Sequence, residues 1–277
     1  TLLDEVAARG LLEAGLDGLW VSIDGATPAS YADVRLGDCL PQVLANLERF
    51  SALRSELRRA DCHLGIAFVA MRRNLQDLPE VIRLGMERGA ARLSVSNVLA
   101  HTPELCSEVL YGQGLYDTRL QFPNPRVEVD LPRLDLDEDM RRMLAGLGEQ
   151  GIAPGAAGGA LAANRCPFTA KNSAAVRWDG QLSPCLALLH AHTSYLGEHP
   201  RRSQAYFIGS LAERSLAELW DDPGYRSLRE KLLDFDFSPC VYCNSCDMAE
   251  HNLEDCFGNV LPTCGGCLWA QGLIRCP

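Results

Sequence analysis

The first hundred residues alternate between two hydrophobic patterns, one with helical spacing and one formed by short continuous apolar runs. These patterns predict helices over 2–15, 41–57 and 75–89, and strands over 18–24, 63–71 and 91–99. A repeated order of helix and strand favours parallel strands that are joined by right-handed crossovers. The fold is therefore expected to be an open α/β sheet or part of a barrel, with its chemistry at the carboxyl ends of the strands.

The pattern changes after residue 100. A turn-rich segment occupies 100–135, a short helix is predicted from about 136 to 147, and "GIAPGAAGGALAAN" (151–164) has the composition of a linker. Beyond the linker, Asp179-Gly180 predicts a hairpin with a two-residue turn, and a helix over 215–233 is expected to break near Pro223. We expect three parts: 1–135, a connecting helix and linker over 136–163, and a small domain over 164–277.

Composition excludes two classes of partner. The chain has 277 residues, 47% of them hydrophobic and 22% charged, with a formal net charge of −10. This acidic balance argues against a nucleic-acid backbone as the partner, and the apolar runs are too short to span a membrane. The acidic start "TLLDEVAARG" does not have the features of a secretory signal, so we expect a cytoplasmic protein.

Cysteine is the most informative residue type in this chain. Nine of the 12 cysteines follow residue 165, namely Cys166, Cys185, Cys240, Cys243, Cys246, Cys256, Cys264, Cys267 and Cys276. Clustered cysteines in a reducing compartment are more often metal ligands than disulfides. The three isolated ones, Cys39, Cys62 and Cys106, are expected to be small buried apolar residues.

The spacing of the late cysteines favours iron–sulfur clusters over zinc. Both kinds of site use four cysteines, but zinc sites usually combine two Cys-x2-Cys pairs. Here Cys240, Cys243 and Cys246 form a run with two-residue gaps, and Cys276 precedes a proline, as in ferredoxin-type cluster motifs. Nine cysteines would suffice for two four-cysteine sites, and zinc stays the alternative.

Two stretches resemble radical S-adenosylmethionine (SAM) enzymes that carry a C-terminal SPASM domain, which holds auxiliary iron–sulfur clusters. "LLEAGLDGLWVSIDGATPASYADVR" (11–35) looks like the middle strands of their barrel. Cys166, thirteen residues, Gly180, four residues and Cys185, with Cys240-x2-Cys243 further on, look like the SPASM pattern. The closing "DCFGNVLPTCGGCLWAQGLIRCP" most resembles the maturase subgroup associated with tungsten-containing aldehyde ferredoxin oxidoreductases.

The resemblance implies a fold, cofactors and partners. It implies a partial (β/α) barrel of the radical SAM type, followed by a small α+β cysteine-rich domain. Ser22 and Asp24 match residues that approach the SAM ribose, and Arg35 is a candidate for the SAM carboxylate. The late cysteines would hold one or two auxiliary 4Fe–4S clusters. The implied substrate is a peptide, a protein or a cofactor precursor, and the implied electron donor is a ferredoxin or flavodoxin.

The chain also departs from this family. The Cys-x3-Cys-x2-Cys motif that binds the SAM-cleaving cluster is absent, as is the glycine-rich strand motif. We therefore expect the C-terminal part of a longer enzyme, which alone would not cleave SAM. Cys246 and Cys256 do not follow the usual SPASM spacing, so the resemblance does not assign individual cysteines to individual clusters.

A second hypothesis comes from a different functional class. The chain could be a non-catalytic module that binds zinc or an iron–sulfur cluster and presents a partner protein. Zinc without acid-labile sulfide would favour this module over the redox enzyme.

Overall fold

The protein is described from a computed structural model, over residues 2–112, 127–130, 134–135, 137–149, 152–155, 164–243 and 246–275. The described chain divides into two compact units. The first draws on 1–98, 116–160 and 275–277, and the second on 99–115 and 161–274. The domain limits expected at 135 and 163 fall within or beside undescribed stretches, and they stay predictions.

The first unit is built on a parallel sheet. Its strands are β1 (Gly18–Ser22), β2 (His63–Ala70), β3 (Arg92–Asn97), β4 (Val127–Asp130) and β5 (Ile152–Gly155). Its helices are α1 (Glu5–Glu13), α2 (Pro28–Arg35), α3 (Leu40–Glu56), α4 (Leu78–Glu87) and α5 (Glu138–Glu149). Each strand pairs with the next one in the chain, in the order β1-β2-β3-β4-β5. All four pairings are parallel.

The mixed α/β architecture predicted from the sequence is confirmed, and the three predicted strands and three predicted helices of the first hundred residues are present. A sheet in strictly sequential order is the arrangement found in β/α barrels, whereas doubly wound sheets reverse their order at a switch point. The partial barrel itself stays a proposal. The hydrophobic pattern did not predict α2, which begins with a capping box between Thr27 and Ser30.

Apolar residues from the strands and helices form the core of the first unit. Phe50 of α3 and Phe68 of β2 are fully buried, as are Leu12, Leu64 and Ile66. The side chains of β2 and β3 are buried in near-continuous runs because helices cover this part of the sheet. Burying each such side chain contributes about 1.5–3 kcal/mol.

A polar network fixes the carboxyl end of β2. Asn74 is 2% exposed, and its side-chain oxygen accepts the N–H of Met71 at 2.8 Å. Its amide nitrogen donates to the carbonyl oxygens of Asp24 and Val69, each at 3.0 Å. The side chain therefore ties the segment after β1 to the segment after β2.

The second unit has short elements and long connections. Its strands are β6 (Ala175–Val176), β7 (Gln181–Ser183), β8 (His192–Leu196), β9 (His199–Ser203) and β10 (Gly209–Ser210). Its helices are α6 (Pro167–Ala170), α7 (Leu216–Trp220) and α8 (Pro223–Asp234). The predicted break before Pro223 is confirmed, with Asp222 capping α8. In the described part of either unit, no helix is both long and apolar enough to cross a membrane.

The predicted hairpin is present, but its turn is longer than two residues. β6 and β7 pair antiparallel, and the N–H of Gly180 donates to the carbonyl of Arg177 at 2.9 Å. Trp178 and Asp179 are therefore the central residues, and Gly180 follows them at φ +84°. The loop between Arg177 and Gln181 therefore has three residues, with a β-turn that ends in a left-handed glycine, and it also returns the chain directly.

We expect Asn74→Ala to lower the free energy of opening at the β2 amides by about 3 kcal/mol, because the truncation leaves several buried backbone groups without a partner. Hydrogen exchange at these amides measures this free energy. Gln76→Ala is the control, since Gln76 is exposed, and it should change the value by less than about 0.5 kcal/mol. Equal effects of the two substitutions would contradict the structural role of Asn74.

The stability of the hairpin turn should also depend on pH. Hydrogen bonds from Arg177 hold the pKa of Asp179 at about 2. Because the pKa of Asp179 is depressed, its interaction with Arg177 stabilises the folded protein at pH values above the ordinary Asp pKa of about 4. This stabilisation is lost as the pH falls through about 2. An NMR titration of the Asp179 carboxyl should give a midpoint near 2, and Arg177→Gln should move this midpoint towards 4.

Candidate metal centre

Two of the three residues predicted to contact SAM bind each other. The Asp24 side chain is buried just after β1, and one carboxylate oxygen accepts the N–H of Val69 at 2.6 Å. The other oxygen forms an ion pair with Arg35 of α2. Burial raises the pKa of Asp24, although the Val69 hydrogen bond and the Arg35 charge oppose this.

Ser22 is the last residue of β1 and is half-buried, opposite Ala67 in the register with β2. In this structure Asp24 and Arg35 therefore bind each other. The contacts of Ser22, Asp24 and Arg35 with SAM stay predictions.

Four of the nine late cysteines line a single cavity in the second unit. We call them the inner cysteine set: Cys166, Cys185, Cys264 and Cys267. Cys185 is buried, and the other three are half-buried and pack against the apolar core that α8 builds with Phe235 and Phe237. His192 of β8 lines the same cavity. Residues separated by as much as 101 positions in sequence therefore share one pocket.

Local hydrogen bonds explain how the inner set is assembled. Cys166 directly precedes α6. The backbone N–H of the residue before it, Arg165, donates to the carbonyl of Ala270 at 3.1 Å. Gln271 also donates to Asn164 at 2.9 Å, which binds the segment before Cys166 to the segment after Cys267. On the other side, the hairpin of β6 and β7 returns the chain to Cys185.

The inner thiols strongly affect one another. Burial raises the pKa of Cys185 and Cys264 well above the usual range for a thiol, and neighbouring thiols of the set raise it further. The pKa of Cys267 is raised for the same two reasons. Adjacent thiols with raised pKa values are hard to ionise together unless a cationic group binds between them.

The remaining described late cysteines form a second group, the outer cysteine set: Cys240, Cys243, Cys246 and Cys256. The first three line a second cavity, and the pKa of Cys243 is raised by burial and then by Cys240, Cys246 and Cys256. Cys240 is buried, while the other three are exposed. Cys276, the ninth predicted ligand, lies outside the described residues.

Asp255 positions the loop that carries Cys256. Its side chain is 3% exposed, and it accepts the N–H groups of Phe257 and Asn259, each at 3.0 Å, and that of Ser238 at 3.1 Å. These bonds fold the loop after Asp255 back on the segment just before Cys240. Asp255 was not predicted from the sequence, although an aspartate three residues before a glycine at φ +83° is a turn signal.

Zinc sites and iron–sulfur clusters make different geometric demands on their cysteine ligands. A tetrahedral zinc site brings its sulfurs to about 3.8 Å from one another, because each Zn–S bond is about 2.3 Å long. Among the described His, Cys, Asp and Glu residues, no group of three or more converges closely enough to hold one metal ion. A 4Fe–4S cluster is held differently, because each of its four cysteines binds a different iron.

The two cysteine loops meet at Gly265. A Cβ atom added to this residue would lie 1.7 Å from the carbonyl oxygen of Ser238, and 3.5 Å from the backbone nitrogen of Cys240. The backbone between Cys264 and Cys267 therefore passes directly against the segment that carries the first outer ligand. Only glycine permits this approach.

We expect Gly265→Ala to displace both loops, because the collision is with backbone that cannot move aside. Metal bound per chain should fall by more than half in the purified protein. Gly10→Ala is the control, since a Cβ on Gly10 meets no atom within 4 Å and lies in the interior of α1, and it should leave metal content unchanged. Full metal content in Gly265→Ala would show that the loops do not depend on this contact.

Comparison with known proteins agrees with this geometry. Residues 166–247 match the family profile of SPASM, an iron–sulfur cluster-binding domain. The chain is 26% identical over 286 residues to the tungsten-containing aldehyde ferredoxin oxidoreductase cofactor-modifying protein of Pyrococcus furiosus. That alignment covers 100% of this chain and 73% of the relative.

Two solved structures of Streptococcus suis SuiB are also similar, one bound to S-adenosylmethionine and one bound to the precursor peptide SuiA. Their TM-scores are 0.45 and 0.43, each at 14% identity. The matches cover 88% of this chain but only 51% and 50% of the SuiB chains, so the chain spans about half the length of these structures. The predicted resemblance to radical SAM enzymes with a C-terminal SPASM domain is confirmed, and residues 166–247 are the segment that matches this domain.

Proposed function

We propose that this chain is the part of a radical SAM/SPASM maturase that holds two auxiliary 4Fe–4S clusters. The observation that carries the proposal is the grouping of eight described late cysteines. Four line the inner cavity, and three line the outer cavity, where the charge of Cys256 also acts on Cys243. One four-cysteine set is the ligand set of one 4Fe–4S cluster. When bound, such clusters supply one-electron transfer.

The proposed assignment follows the two cavities. The inner cysteine set would hold one cluster deep in the second unit, and the outer cysteine set would hold the other nearer the surface. This assignment joins Cys264 and Cys267 to Cys166 and Cys185, and it places Cys256 with the 240–246 run. It uses none of Cys39, Cys62 and Cys106, of which Cys62 is buried and the other two are half-buried.

The proposed substrate is a peptide, a protein or a metal-cofactor precursor. The P. furiosus relative is named for the modification of a tungsten enzyme's cofactor, and one SuiB structure contains a precursor peptide. A tungsten cofactor of an aldehyde ferredoxin oxidoreductase is the more specific proposal, because that relative aligns with the whole chain. The electron donor would be a ferredoxin or flavodoxin.

The non-catalytic zinc module stays the competing proposal. It shares the cysteines but requires them to converge on single ions. The match of residues 166–247 to an iron–sulfur cluster-binding domain favours clusters instead.

After anaerobic purification or reconstitution, we expect about eight iron and about eight acid-labile sulfide per chain. The double variant Cys166→Ser with Cys264→Ser should lose about half of both, and so should Cys240→Ser with Cys256→Ser. A variant that combines a cysteine from each set, Cys166→Ser with Cys256→Ser, should damage both clusters and lose more than either of these.

Cys106→Ser is the control, because Cys106 lies in neither set, and it should keep the full iron content. Zinc without sulfide in the unaltered protein would rule out the proposed clusters. Complete loss of iron in both set-specific double variants would rule out two independent sites.

A further inference from the structure

Resting on the proposed function, we propose that Arg201 is a positioning residue that raises the reduction potentials of both clusters through the cysteine thiolates. Arg201 belongs to β9, outside every cysteine motif. Its side chain lines both the inner and the outer cavity. A single cation is therefore shared by the two cysteine sets.

The guanidinium is held rigidly between the sets. One nitrogen donates to the carbonyl of Ala249 at 2.7 Å, and the other terminal nitrogen donates to the carbonyl of Thr263 at 3.4 Å. The sulfur of Cys240 in the outer set also interacts with the guanidinium, both as a hydrogen-bond partner and through its charge. These three partners come from three different segments, so the side chain cannot leave without breaking contacts to each.

The same guanidinium also faces the inner set. The charges of Cys267 and Cys264 act on it, and it lies against Gly266, where an added Cβ would be 2.3 Å from a terminal nitrogen. The absence of a side chain at Gly266 is what allows the cation to approach the loop between the two inner ligands. An alanine there would occupy the place of the guanidinium.

Arginine is suited to this position because it keeps its proton even when buried. Burial lowers the pKa of Arg201, while Cys240, Cys267 and Cys264 oppose the shift. Reduction adds one negative charge to a cluster, and a fixed positive charge beside its ligands favours that form. Hydrogen bonds to ligand sulfurs act in the same direction.

A second hydrogen bond acts on the outer set alone. The hydroxyl of Ser238, which is 1% exposed, lies 3.0 Å from the sulfur of Cys240. A thiolate has only acceptor capacity, so in the ligated state the hydroxyl is the donor. Ser238 therefore offers an internal comparison: its removal should affect one cluster, whereas removal of Arg201 should affect both.

The experiment is an anaerobic redox titration followed by electron paramagnetic resonance, on the full chain with reconstituted clusters. Each cluster is isolated by using the two set-specific double serine variants as backgrounds. In Arg201→Gln, at fixed solution potential, the ratio of reduced to oxidised cluster should fall about tenfold in each background, a shift of about 59 mV for one electron. Ser238→Ala should lower this ratio only for the outer cluster.

Two further variants sharpen the test. Arg202→Gln removes the same charge from the neighbouring exposed position on β9, and it should leave both ratios within about twofold of the parent. Arg201→Lys keeps the charge but not the planar set of donors, so the inner cluster should stay close to the parent while the outer one falls. If Arg201→Gln binds no iron, Arg201→Lys is the variant that tests the proposed role of Arg201.

The outcomes separate the two proposals. Full iron and sulfide content with unchanged ratios in Arg201→Gln would overturn the role of Arg201 and leave the proposed clusters intact. A lower ratio of reduced to oxidised cluster for only one of the two clusters in Arg201→Gln would also overturn the role of Arg201. Equal decreases of this ratio for both clusters in Arg201→Lys would overturn it as well. A parent protein with zinc and no sulfide would overturn the proposed function itself.

Discussion

The second unit is organised by the electrostatic cost of placing many thiols close together in its interior. Burial and the charges of neighbouring thiolates both raise the pKa values of Cys185, Cys264 and Cys267, so thiolates are costly there without positive charge between them. The iron of the proposed clusters would supply that charge, and the protein adds one more cation in Arg201. Folding of this region and binding of its proposed clusters are therefore expected to be coupled.

This constraint explains why the second unit has little regular structure. Cluster ligands must point inward from tight turns, and strands or helices of ordinary length cannot supply such turns four at a time. The short 3-10 segments after Cys185 and at Cys240, the Asp255 loop and the close approach at Gly265 perform this function. The apolar core of α8, Phe235 and Phe237 gives these loops a fixed support.

The first unit meets a simpler requirement, which is to bury a parallel sheet beneath helices. At its strand ends, Asn74 and the pair of Asp24 with Arg35 tie neighbouring connections together. These contacts are structural in this chain. They also keep a buried carboxylate and an arginine at the edge where enzymes of this architecture place their chemistry.

The sequence alone was sufficient for features that depend on local periodicity or on the chemistry of one residue type. The strands and helices of the first hundred residues follow from hydrophobic spacing, and the metal character of the second half follows from clustered cysteines. The resemblance to radical SAM enzymes with a SPASM domain could also be stated from the residues, and the family comparison agrees with it.

Tertiary structure alone decided which cysteines share a site. Along the chain Cys256 stands nearest to Cys264, yet the Asp255 turn and the contact at Gly265 send these two residues to different sets. Arg201 lacks any sequence signal, because its importance comes from carbonyls and thiols that lie 39 or more residues away. The spacing of cysteines along the sequence shows only which thiols a single turn can bring together. Which cysteines line the same cavity depends on how several turns that are distant in sequence pack against one another.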